Sequence, residues 1–192
     1  MMGRISKGIV GILAGLTVVL ASGDRVAAVT QTETFEDESH LSLQFSEAGG
    51  PTFTVDGDLS VEFFSGLGSG MSDYWLGTGF NIGGPSSGSV GSIDVQTGWS
   101  FVVNSFDAWT GRADGNNFQP GQVTFTGTLL DNTQASATID INTPNDADFV
   151  EDIDFAGTPL AGQALKSLEI ILVTEIAPVA GTLDYIALDN IN

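Results

Sequence analysis

Apolar and polar residues alternate along residues 122–129 and again along 135–141. In the first run Val123 and Phe125 would lie on one face of an extended chain, with Thr124 and Thr126 on the other. A strand turns successive side chains to opposite faces, so this period of two is typical of a half-buried strand. The Asp-Asn-Thr between the runs consists of residues that favour turns. The sequence therefore predicts a β-hairpin with one face in the core.

The register of this hairpin depends on the length of its loop. A two-residue turn would pair Val123 with Asp140 and set a core residue opposite an exposed one. A three-residue loop at residues 131–133 pairs Phe125 with Ile139 and keeps both apolar faces on one side. We expect the second register.

Other segments rich in aromatic and β-branched residues are predicted to be strands as well. Residues 99–109 place Trp99, Phe101 and Val103 on one face. Phe106 and Ala108 then lie on the opposite face, unless a bulge at residues 104–105 returns them to the first. The predicted strands are residues 30–37, 41–45, 52–55, 59–64, 92–96, 99–109, 122–129, 135–141, 165–174 and 183–191.

The connections carry their own signals. Asp56-Gly57 between two short apolar runs predicts a second hairpin. Residues 66–91, rich in Gly and Ser, are interpreted as a long loop, either functional or covering the sheet with its aromatic rings. Residues 165–174 are apolar on both faces and favour a central strand covered on both faces, with a short helix as the alternative. Eight to ten strands without an amphipathic helix predict an all-β, antiparallel β-sandwich or a barrel.

The first 28 residues have the pattern of an export signal. Arg4 and Lys7 precede an apolar run at residues 9–21, and Val26-Ala27-Ala28 is a small-residue cleavage site, with residues 21–23 as a second possibility. The run is shorter than the roughly 20 residues that span a bilayer. We expect a signal peptide at residues 1–28, one domain at 29–192, a secreted, extracellular location, and no membrane span in the mature chain.

The charge is strongly acidic, with 24 Asp and Glu against five Lys and Arg and a net charge of −19. After residue 28 only Arg112 and Lys166 are basic. Such a surface repels nucleic acid and anionic membranes and suits neutral sugars, divalent cations or a salty medium. The chain has no Cys and one His, His40, so a disulfide framework is impossible and a zinc site lacks its usual ligands.

Four segments together resemble a known group of domains. They read Thr-Phe-Glu-Asp at 34–37, Phe-Val-Val-Asn-Ser-Phe-Asp-Ala-Trp at 101–109, Val-Thr-Phe-Thr-Gly-Thr-Leu at 123–129 and Tyr-Ile-Ala-Leu-Asp-Asn-Ile at 185–191. This order resembles the jelly-roll domains of secreted bacterial surface proteins sorted by exosortase, which are similar to carbohydrate-binding modules of galactose-binding-like fold. The sequence ends without their Pro-Glu-Pro sorting signal, which implies release or non-covalent retention.

The resemblance implies a structural calcium ion between the first and last strands. The positions that match are Glu33, Glu36, Asp37 and Asp189, and carboxylate oxygens are the ligands that calcium prefers. The alternative is that Asp189 pairs locally at the end of a strand. The acidic residues between 145 and 154 are a second candidate, but they lack EF-hand spacing and are better explained as a solvated loop.

Binding of a polysaccharide or cell-surface glycan would use exposed aromatic rings. Tyr74 and Trp75 in the predicted loop and Trp109 at a strand end are the candidates, whereas Trp99 is expected in the core. No nucleophile motif surrounds His40, so no catalytic residue is assigned. We expect a non-enzymatic extracellular protein with a structural or adhesive role. The alternatives are a calcium-stabilised carbohydrate-binding module and, third, a secreted glycan-acting enzyme.

Overall fold

The computed structural model describes residues 17–18, 32–35, 38, 42–46, 50–67, 71–78, 88–112, 117–118, 121–142, 150–175 and 185–192. Within these ranges the regular elements are all β-strands, and no helix is long and apolar enough to cross a membrane. The strands are β1 (Thr17–Val18), β2 (Gln44–Ser46), β3 (Thr52–Gly57), β4 (Leu59–Leu67), β5 (Met71–Thr78), β6 (Gly88–Val95), β7 (Phe101–Val102), β8 (Ser105–Arg112), β9 (Asn117–Phe118), β10 (Gly121–Leu129), β11 (Gln134–Ile141), β12 (Val150–Asp154), β13 (Leu165–Glu175) and β14 (Tyr185–Asp189).

These strands form two antiparallel sheets. The larger sheet follows the order β1-β7-β13-β6-β3-β2, and β10 lies between β13 and β11. The smaller sheet follows the order β12-β8-β14-β5-β4, with β9 beside β8. The predicted all-β, antiparallel class is therefore confirmed for the described residues. β13 is a central strand with a neighbour at each edge, as predicted, and the helical alternative is wrong. Its second face is not covered as expected, because Ser167, Glu169 and Ile171 are only half-buried.

A hydrophobic cluster joins the two sheets. Phe125 from β10 contacts Phe106 from β8 and Phe155 after β12, with ring centroids 5.1 and 5.3 Å away. Phe106 and Phe155 are themselves 5.5 Å apart. All three rings are buried, and each is offset or tilted as aromatic pairs prefer. Burial of this apolar surface is the main force that holds the sheets together.

The segment predicted as one strand at residues 99–109 is two strands in different sheets. Phe101–Val102 belongs to the larger sheet, and Ser105–Arg112 to the smaller. At the start of the second strand the Ser105 carbonyl accepts a hydrogen bond of 2.8 Å from the Asn192 amide. Phe101 and Phe106 both reach the same core, so the chain restores the inward face by changing sheets and not by a bulge within one strand.

The second predicted hairpin, at Asp56-Gly57, is wrong. β3 pairs with β2 and β6 in the larger sheet, while β4 pairs with β5 in the smaller one. Gly57 has a φ of 78°, and the Asp58 amide donates to the Val90 carbonyl over 2.7 Å. The turn signal was correct, but the turn carries the chain from one sheet to the other, because each strand finds its partners elsewhere.

The predicted loop at residues 66–91 contains the end of β4, the whole of β5 and the first four residues of β6, which was predicted from residue 92. β5 pairs with β4 on one side and with β14 on the other, and β6 pairs with β3 and β13. Residues 68–70 and 79–87 lie outside the described part. The many Gly and Ser residues indicated a loop, because Gly has a low intrinsic preference for strands. Pairing with neighbouring strands outweighs that preference here.

The first predicted hairpin is present as β10 and β11, two residues out of the expected register. Val123 pairs with Ile139, and Phe125 with Ala137. The loop is residues 130–132, closed by a 2.9 Å hydrogen bond from the Leu129 amide to the Thr133 carbonyl. A shift of two residues leaves every side chain on its expected face, so the alternation predicted the faces but not the pairing.

Asp131 sets the position of this loop. Its Oδ1 accepts hydrogen bonds from the Thr133 amide at 2.9 Å and the Thr133 hydroxyl at 2.6 Å. This turn within the loop places Thr133 at the start of the return strand. The Thr133 hydroxyl, more than any other group, holds the pKa of the Asp131 carboxyl below its ordinary value.

The two ends of the domain meet at the edge of the core. Of the predicted strand at residues 30–37, the described part contains an isolated bridge in which the Glu33 and Ile191 backbones exchange hydrogen bonds of 2.9 and 3.0 Å. Thr17 and Val18, inside the predicted signal peptide, pair with Val102 and Phe101. The division into signal and domain stays a prediction.

Candidate functional site

The outer face of the larger sheet carries two parallel rows of polar side chains. Each row crosses five strands, from β3 through β6, β13 and β10 to β11. The first row is Asp56, Ser92, Glu169, Thr126 and Ser136. The second row is Thr54, Asp94, Ser167, Thr128 and Gln134. We call these ten residues the polar face.

The residues between the two rows point the other way, into the core. Val55, Ile93 and Leu168 are paired across neighbouring strands and are all buried. The same line continues to Gly127, where a Cβ would come within 2.7 Å of the Leu165 side chain. Tight packing on the inside thus holds the strands in one register, and that register aligns the hydroxyl, amide and carboxylate groups outside.

Hydrogen bonds between side chains order the polar face and its margin. The hydroxyls of Thr126 and Ser136 are 3.0 Å apart, and those of Thr124 and Thr138 are 2.8 Å apart. On β6 the Ser92 hydroxyl donates to Asp94 Oδ2 over 2.7 Å. These groups are exposed, so they retain lone pairs for a ligand while their rotamers are already restricted. Such pre-organisation lowers the entropic cost of binding.

A shallow recess lies within this face. It is lined by Asp56, Ser92, Thr126, Thr128, Gln134, Ser167 and Glu169, together with Gly57 and Gly91. Its lining combines hydroxyls, an amide and two carboxylates, and it includes no aromatic ring and no basic side chain. Recognition there would depend on hydrogen bonds to a hydroxyl-rich or cationic group, because the carboxylates repel anions.

The aromatic candidates lie elsewhere. Trp109 is 1% exposed, so the expectation of an exposed ring at this strand end is wrong. Tyr74 and Trp75 are part of β5, paired with Phe63 and Glu62, and not part of a loop. The surroundings of their rings lie outside what the structure describes. Trp99, expected in the core, is half-buried and packs against it from outside.

Two of the predicted calcium ligands are buried near the junction of the chain ends. Glu33 is 3% exposed, and its Oε1 accepts a 2.8 Å hydrogen bond from the Phe35 amide. Asp189 is 8% exposed, and its Oδ1 accepts a 2.8 Å hydrogen bond from the Asn190 amide, which is the local pairing weighed as the alternative. Glu36 and Asp37 lie outside the described residues. Within the described ranges no three His, Asp or Glu side chains are grouped to hold a metal.

Asp107 was not singled out from the sequence, yet it ties three segments together beside Asp189. Its Oδ1 accepts from the Asp152 amide at 2.8 Å, and its Oδ2 accepts from Asn190 Nδ2 at 2.7 Å. Asp107 and Asp189 are paired across β8 and β14. The sequence feature that could have identified Asp107 is a carboxylate within the otherwise largely apolar strand β8. Its bonds fasten the edge strand β12 and the final turn to the smaller sheet.

The acidic run at residues 145–154 lies only partly within the described residues. Residues 150–154 of the acidic run form β12 at the edge of the smaller sheet, while residues 143–149 lie outside the described part, as does His40.

No family model matches the chain, and neither a curated protein nor a solved structure is significantly similar to it.

Proposed function

We propose that this chain is a secreted, non-enzymatic β-sandwich of jelly-roll type with an adhesive or structural role at a bacterial surface or in its matrix. The polar face is the observation that supports this role most directly. Its ten side chains present hydrogen-bonding groups on five adjacent strands of one continuous antiparallel sheet. A rigid, broad array of this kind suits repeated weak contacts with an extended polymer.

The chemistry of the polar face favours a neutral polysaccharide as the contacted polymer. Sugar hydroxyls both donate and accept hydrogen bonds, so they match threonine hydroxyls and carboxylates alike. The three acidic residues of the face, Asp56, Asp94 and Glu169, add to a net charge of −19 and oppose binding of polyanions. Single contacts on an exposed face are weak, so adhesion would depend on their number.

Removal of paired hydroxyls from the polar face is expected to weaken polysaccharide binding. The double variant Thr126→Val, Ser136→Ala removes two groups that bond each other, and so leaves neither partner unsatisfied. At about 0.5–1.5 kcal/mol for each lost ligand hydrogen bond, the loss of two costs about 1–3 kcal/mol, so affinity should fall about 5- to 150-fold. Co-sedimentation with insoluble neutral polysaccharides measures this loss.

The matched control is Thr124→Val, which removes a hydroxyl of the neighbouring pair at the margin of the face. We expect it to bind nearly as tightly as the parent. Binding that both variants leave unchanged would contradict a role for the polar face. Release of soluble sugar by the pure protein, abolished by one carboxylate substitution, would show an enzyme instead.

We also propose that calcium stabilises the junction of the chain ends, since Glu33 and Asp189 are buried carboxylates near that junction. An ion that binds the native state alone raises the melting temperature, so chelation by EDTA should lower it and added calcium should restore it. Glu33→Gln keeps an oxygen acceptor for the Phe35 amide but should abolish the calcium response. Asp94→Asn, an exposed carboxylate of the polar face, should retain the response. A melting temperature that EDTA leaves unchanged would refute the calcium site.

A further inference from the structure

β11 is an edge strand with few features that prevent further pairing. Among the described residues it pairs with β10 alone, over eight consecutive residue pairs without a register shift. Its sequence, Gln-Ala-Ser-Ala-Thr-Ile-Asp-Ile, contains no Pro or Lys and a single charge, Asp140. Edge strands of natural sheets usually carry a bulge, a proline or a lysine that blocks another strand.

The inward side of β11 is incompletely covered. Ala137 and Ile141 are buried, but Ala135 and Ile139 on the same side are only half-buried although they pack against the core. Leu130, in the hairpin loop that leads into β11, is 41% exposed. Another strand placed alongside β11 would take this apolar surface out of water and satisfy the outer backbone groups of the edge.

We propose that β11 pairs antiparallel with β11 of a second copy, so that the larger sheet continues across a two-fold axis. With the axis at Thr138, Ala137 lies opposite Ile139 of the other copy, and Ser136 lies opposite Asp140. Apolar side chains then meet apolar ones and polar meet polar, whereas a one-residue shift would mix the two faces. The two-fold pairing is self-complementary, as closed dimers require.

Charge on the pairing strands is compatible with this contact. In this register neither Asp140 faces the other one, and Gln122 Nε2 already donates to Asp140 Oδ1 over 2.8 Å. Repulsion between two chains of net charge −19 acts over longer distances. Salt screens that repulsion, so the dimer should tighten as ionic strength rises.

Dimerisation would also enlarge the polar face, because Ser136 and Gln134 lie on β11 itself. Two copies would present a double array to one polymer and gain avidity. The inference does not depend on polysaccharide binding, since self-association is measured without any ligand.

A single cysteine tests the register directly, because the natural chain has none. In Thr138→Cys the two new thiols would face each other across the axis, with Cα atoms about 4.5–5.5 Å apart, within disulfide range. Mild oxidation should convert this variant to a covalent dimer. Two matched variants should stay monomeric under the same conditions: Ser136→Cys, whose thiols would lie on either side of the axis and too far apart, and Thr54→Cys, exposed on the interior strand β3.

Sedimentation equilibrium of the parent chain completes the test. A dimer that forms with rising concentration and salt, and that Thr138→Glu disrupts by setting two carboxylates opposite each other, supports the proposal. A parent chain that stays monomeric at every concentration and salt tested overturns it. Equal cross-linking of Thr138→Cys and Thr54→Cys would likewise show random collision and overturn it.

Discussion

Replacement of Phe125 by alanine is expected to lower the free energy of unfolding by about 3–5 kcal/mol. Phe125 is 1% exposed and packs against Phe106 and Phe155, so the substitution opens a cavity between the two sheets. The residue next to it, Thr126, points outward from the same strand. Thr126 is half-buried on the outer face. Thr126→Ala should therefore cost about 1 kcal/mol or less, because it opens no cavity in the core.

Urea denaturation monitored by tryptophan fluorescence and by circular dichroism measures both losses. The large difference between neighbouring residues is the essential result, since it reports which side of β10 faces the core. If Phe125→Ala cost no more than Thr126→Ala, the core between the sheets would be in the wrong place. A large loss at Thr126 alone would mean that the strand is turned over.

The second large effect is expected at Gly57, where β3 ends and the chain leaves the larger sheet. Its φ is 78°, and an added Cβ would lie 2.7 Å from both the Gly91 Cα and the Val90 carbonyl oxygen. These are backbone atoms, so they cannot move aside as a side-chain end could. Strain of about 1–2 kcal/mol and overpacking of about 1–3 kcal/mol together predict that Gly57→Ala costs about 2–5 kcal/mol.

Gly157 supplies a matched control for this substitution. Its φ is 77°, but a Cβ there would meet nothing within 4 Å. Gly157→Ala should therefore cost only the backbone strain, and the difference between the two variants isolates the close approach of β3 and β6. Equal losses in free energy of unfolding would mean that the two strands are further apart than described.

At the candidate site, local patterns indicate which face a side chain occupies but not which distant residues lie beside it. Thr124 and Thr126 could be assigned to an exposed face from the alternation alone. The alignment of Thr126 with Glu169 and Ser92 could not, because it joins residues far apart in the chain through the register of three strands. The predicted exposure of the Trp109 ring was wrong for a related reason. Its position at the end of a predicted strand did not reveal that the ring is buried.

Local sequence patterns alone predicted the antiparallel strands that the described residues form, and the side of β10 and β11 that faces inward. Both follow from the period of two and from turn residues, which act within a few positions of the chain. Only the pairing of distant strands places Phe101 and Phe106 in different sheets, and makes Asp56-Gly57 a connection between the sheets instead of a hairpin turn. The same pairing aligns the two polar rows across five strands. Those features depend on which strands become neighbours, and strands are chosen as neighbours by the burial of a shared core, a property of the whole chain and not of any one segment.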